Sequence, residues 1–80
     1  MAITYHVVVP FGRNENGELV PGEPMEAPNA ECARRRASAV AARHAGTIAF
    51  SRTGDPNTGD FGEAQVIATF GEVDLRLLGE

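Results

Sequence analysis

The sequence predicts an α+β domain of β-α-β-β order, in which a three-stranded, mainly antiparallel sheet carries one helix packed on one face. Three observations lead there. Residues 3–11 (ITYHVVVPF) and 47–52 (TIAFSR) are runs of β-branched and aromatic residues that alternate with period two. Residues 30–45 repeat small apolar side chains at helical spacing between Asn29 and Gly46. Turn-forming stretches at 12–28 and 53–62 separate these runs.

The first strand places Ile3, Tyr5, Val7, Val9 and Phe11 on one face, with Pro10 near its end, where a missing amide matters least. Residues 12–28 hold three glycines, three prolines and the run Asn14-Glu15-Asn16-Gly17, the composition of a loop or an irregular hairpin. Within it, Glu18-Leu19-Val20 and Met25-Glu26-Ala27 are candidates for short edge pairings. Asn29 reads as an N-cap and Gly46 as a C′ residue, which brackets a helix over 30–45. Its core stripe, Ala30, Ala33, Ala37, Val40, Ala41 and His44, is mostly alanine, so the helix must approach its neighbours closely and leave most of the apolar burial to the sheet.

The second strand, 47–52, turns Ile48 and Phe50 inward, and a third over 63–70 (EAQVIATF) does the same with Ala64, Val66, Ala68 and Phe70. With the third strand between the other two, every pairing is antiparallel. The face away from the helix would then show Thr4, His6, Val8, Thr47, Ala49, Ser51, Gln65, Ile67 and Thr69, a semi-polar surface suited to self-association. The tail 72–80 ends in Leu75-Arg76-Leu77-Leu78, apolar enough to seek an oligomer interface.

Eighty residues make one small domain, near the size at which one core just suffices and assembly is a common supplement. The single cysteine, Cys32, rules out an intrachain disulfide and a cysteine-based zinc site, which fits a reducing, cytoplasmic setting. The longest apolar run, Val7 to Phe11, is too short to span a bilayer, and no leader pattern precedes it. The net charge of −4 argues against a surface given over to phosphate backbones, although residues 30–52 form a basic island of +4 between acidic flanks.

The chemically richest stretch is residues 49–64, AFSRTGDPNTGDFGEA. As a cation loop it fails the calcium-binding spacing: with Asp55 first, Asp60 stands where the glycine belongs and Val66 where the bidentate carboxylate belongs. As an anion nest, Ser51, Arg52, Thr53 and Gly54 offer suitable donors, yet no helix follows and Asp55 and Asp60 repel anions. The competing reading is a solvated hairpin whose Asp55, Asn57 and Asp60 bond their own backbone. If the loop binds a ligand, Ser51, Arg52, Thr53, Asp55, Asn57 and Asp60 are the residues to do it.

For nucleic acid the candidates are Arg34, Arg35, Arg36 and Arg43, which do not share one stripe of the helical wheel and lack an exposed aromatic platform beside them. His6, Cys32 and His44 fall on a strand, the first turn and the last turn of the helix, and so make no nucleophile and base pair by spacing. No cofactor motif is present.

The segments PGEPMEAPNAECARRRA and AGTIAFSRTGDPNTGDF resemble a group of short bacterial proteins of unknown function, a likeness that covers most of the chain and implies no activity. The element order also resembles small flavin-binding and antitoxin-like modules in outline, without their identifying residues. The expectation is therefore a non-catalytic, self-associating interaction module. The alternatives are a nucleic-acid or antitoxin-type regulator using the arginine-rich helix, and a small-ligand or metal binder at residues 51–63.

Overall fold

The computed structural model describes residues 2–78, the side chains of Leu77 and Leu78 excepted, so the expectation for the apolar tail lies largely outside the described residues. The elements run β1 (Ile3–Arg13), β2 (Leu19–Pro21), β3 (Met25–Ala27), α1 (Ala30–Ala41), β4 (Gly46–Asp55), β5 (Asp60–Phe61) and β6 (Gln65–Gly71), followed by a 3-10 turn at Leu75–Leu78. The fold is α+β as expected, but the sheet has six strands rather than three: a curled, half-barrel antiparallel sheet. The first strand pairs with β4, and the order across the sheet is β2 or β3, β1, β4, then β5 or β6. The second predicted strand, not the third, is thus central.

The three additional strands come from the loops. Asn14 Oδ1 accepts from the amides of Asn16 and Glu18, and Gly17 adopts φ 80°, so Asn14–Gly17 closes a hairpin that pairs β2 with β1. Pro10 lies between the stretch of β1 paired with β3 (His6–Val8) and that paired with β2 (Phe11–Arg13), where no ladder bond needs its absent N–H. At the other end β4 continues to Asp55, and β5 returns against it at Gly54 and Asp55.

Asn29 caps α1 as its sequence predicts, accepting from the Cys32 amide at 2.8 Å. The helix ends at Ala41, four residues early, because Gly46 belongs to β4 and the chain must turn to reach it. Twelve helical residues span about 18 Å, whereas eleven residues of β1 extend about 36 Å, so α1 covers only part of the β1–β4 ladder.

For β1 and β4, and for Val66 and Ile67 of β6, the faces are the reverse of those expected, whereas Ala68 and Phe70 lie on the helix side and Thr69 on the other, as their alternation predicts. The helix packs Ala33 and Ala37 onto Val8 and Ala49, with Met25, Ala27, Ile67 and Phe70 around them. Thr47, fully buried on the same face, donates from Oγ1 to the Ala37 carbonyl at 2.7 Å. Alanines need a close approach, and the small residues of this face allow it; the larger Val9, Phe11 and Ile48 occupy the opposite face under Leu19 and Val73. A bulge in β6 beside Ala49 and Phe50 shifts its alternation, which is why Ile67 and Phe70 both reach the helix side. Thr47→Val is expected to lower stability by about 1 kcal/mol in chemical denaturation, the worth of one such bond. An unchanged midpoint would show that the hydroxyl contributes nothing to seating the helix.

Candidate functional site

The sequence-derived ligand residues do not converge. Ser51 and Thr53 follow Thr47 and Ala49 on the helix side of β4, while Arg52 follows Ile48 and Phe50 on the other. Beyond Asp55 the loop is self-satisfied: Asp55 Oδ1 accepts from the Asn57 amide at 2.9 Å, the Asp55 carbonyl from Gly59 at 2.8 Å, and Thr58 Oγ1 from Asp60 at 3.3 Å. Gly59 has φ 77°, and Phe61 packs its ring over Gly54, where a side chain would collide with it.

The arginines are likewise dispersed. Arg34 bonds Glu31 at 2.5 Å, Arg35 reaches Cys32 Sγ at 3.8 Å, and Arg36 crosses the other flank of α1 to the Glu26 carbonyl at 2.7 Å. Glu31 is held below its ordinary carboxylate range, first by the Arg34 hydrogen bond and then by that charge. The Asp74 carboxyl is lowered too, by bonds from the Arg76 side chain and backbone, and the Arg76 guanidinium is raised in return. Arg43 stands apart with His44 at the rim of a cleft of about 780 Å³ between the helix end and the β2–β3 connection, over Pro10, Val20, Met25 and Val40. Its lining holds no hydroxyl or thiol nucleophile.

His6 lies on β1 opposite Ser51, with a buried Nδ1 that has no hydrogen-bond partner among the described residues, and Cys32 is half-buried on the helix. Among the described residues no three His, Cys, Asp or Glu side chains gather as metal ligands would, and no helix is long and apolar enough to cross a membrane.

Two surfaces remain, and they adjoin. The first is the sheet face away from α1. Near Phe11 it is closed by Leu19 and Val73, but toward the hairpin tip it opens: Val66 is 50% exposed, Phe61 44% and Ile3 42%, beside half-buried Tyr5, Val7 and Phe50. Tyr5 and Phe61 form a tilted ring pair at 6.0 Å, and a groove of about 430 Å³ runs between Val7, Phe50, Arg52 and Glu26. This open face is more apolar than the one the sequence predicts.

The second surface is the edge of β6. In an antiparallel ladder, opposed residues alternate between pairs that exchange hydrogen bonds and pairs that turn away. The Pro10 carbonyl accepts from Gly22 at 2.7 Å, on the β2 side, so Thr47 opposite it turns its backbone toward β6. Phe70 and Ala68, paired with Thr47 and Ala49, therefore bond to β4, and Thr69 between them points its N–H and C=O outward. The strand QVIATFG contains no charge and no proline. Most other edge segments are guarded: β2 has three residues with Pro21, β3 has three with Glu26 between Pro24 and Pro28, and β5 has two including Asp60. The start of β1, Ile3–Tyr5, is open on the side away from β4 but offers only three residues. Periodicity missed this because no local pattern says which strand ends at an edge.

No protein-family model matches this chain, and neither a curated protein nor a solved structure does. The functional reading therefore rests on these surfaces.

Proposed function

We propose that this chain is a non-catalytic protein-interaction module that takes a partner strand along β6, with self-association as its simplest use. The observation that carries the reading is the unguarded edge: seven uncharged residues, with the Thr69 amide and carbonyl facing outward, in a sheet whose other edges are blocked by prolines, carboxylates or brevity. Main-chain bonds supply attachment in this mode, and the side chains of alternate residues supply selectivity.

The test is a peptide of residues 63–72 titrated into isotope-labelled protein. Saturable amide shifts along β6, with the Thr69 amide becoming protected from exchange, are the expected result. Thr69→Pro should keep the thermal midpoint nearly unchanged, because its amide makes no bond to β4, and should abolish the shifts. A peptide that leaves β6 unperturbed, or that binds the proline variant equally well, refutes the reading.

A further inference from the structure

Resting on that reading, we infer that the strand β6 receives is β6 of a second copy, antiparallel, with the two-fold axis through Thr69. Outward-facing residues are the ones that can exchange bonds, so Thr69 of each copy donates to and accepts from Thr69 of the other. The register that follows sets Ala68 opposite Phe70 of the second copy, and Phe70 opposite its Ala68, on the helix side of the joined sheet. Small meets large twice by symmetry. On the other side the two threonine side chains meet, a favourable cross-strand pair. Shifting the register by one residue would set helix-side residues against open-face residues.

Area also favours a whole copy over a bare strand. A specific interface takes about 800 Å² per partner, roughly 15% of the 5182 Å² the chain exposes. A peptide laid along Ile67–Gly71 covers little beyond the ladder. A second copy also brings its own Val66, 50% exposed near the start of β6, and its helix. The flank of α1 toward β6, opposite the one from which Arg36 reaches β3, carries Ala30, Arg34, Ser38 and Ala41. Its one cation, Arg34, is bonded to Glu31, so like charges do not hold the two helices apart across the seam.

Cross-linking combined with sedimentation tests this. In a Cys32→Ser background, Thr69→Cys places two thiols on residues about 5.5 Å apart between Cα atoms, within disulfide reach, whereas Val66→Cys places them about 20 Å apart. Sedimentation should show a dimer at on the order of tens of micromolar. Mild oxidation should link Thr69→Cys at least about ten-fold faster than Val66→Cys, given that separation. Equal or faster linking through Val66 would overturn the register and point to pairing through the open face. A chain that stays monomeric at millimolar concentration while the β6 peptide still adds would overturn the second copy, leaving a foreign strand as the partner. Undiminished dimerisation of Thr69→Pro would overturn both the inference and the reading beneath it.

Discussion

Phe11→Ala is expected to cost about 3–5 kcal/mol, the range for emptying a fully buried aromatic site, and in a domain this small that is enough to unfold much of the population. Phe11 is wholly inaccessible and packs with Val9 and Ile48, under Leu19 from β2 and Val73 from the segment beyond β6. It joins three parts of the chain that are distant in sequence. The ring is also the largest fully buried side chain, so no neighbour can collapse into its place without moving the sheet. Phe50→Ala and Phe70→Ala, the two truncations that strand periodicity singles out, should cost less, since both rings are only half-buried. Urea denaturation of the three variants checks the order. Equal losses for Phe11 and Phe50 would mean that the open face is as well packed near the hairpin tip as it is beneath Val73.

Gly46→Ala is the second large effect, and it acts through backbone. Gly46 faces the same side of the sheet as Ile48, opposite Phe11, and a Cβ there would lie 2.5 Å from the Glu72 amide nitrogen and 2.6 Å from the Phe70 carbonyl oxygen. Neither atom belongs to a side chain that can swing away. The missing side chain lets the chain fold back after β6: Gly71 turns at φ 68°, the Glu72 amide donates to the Ala45 carbonyl at 3.0 Å, and Val73 settles toward Phe11. Glu72 then meets Arg13 of β1 in an exposed ion pair, which orients the segment more than it stabilises it. A methyl at position 46 should displace the end of β6 at a cost of at least about 1–3 kcal/mol, the range for forced overpacking. Hydrogen exchange should locate the loss in residues 70–73 first. If protection there is retained and the denaturation midpoint does not move, the close approach of these backbones is not what seats Val73.

The candidate site was only partly legible. QVIATF reads as a strand from its residues alone, and a strand without charge or proline invites pairing wherever it is exposed. That it is exposed depends on Thr47–Ala49 taking the central place beside it, a long-range pairing that no window of sequence reports. The residues with the most chemistry, Ser51 to Asp60, drew attention for their side chains, yet strand alternation splits the first three between faces and the turn's own amides occupy Asp55.

By its sequence alone this protein was determined to be α+β, with a helix beginning after the Asn29 cap, a first strand from Ile3, and a hairpin around Pro56–Gly59. Each of these rests on a signal within a few residues: a side-chain oxygen aimed at a nearby amide, a two-residue alternation, or a glycine free to take positive φ. Tertiary structure decided the rest. Which face of the sheet took the helix depended on the close approach that Ala33 and Ala37 require, and the small Val8, Thr47 and Ala49 permit it where Phe11 and Ile48 do not. Where α1 stopped depended on Gly46, whose lack of a side chain suits a helix terminus equally well but is needed in β4 for the chain to cross over it. Alternation assigns residues to two faces; only packing volume and backbone proximity, summed over distant segments, determine what covers each one.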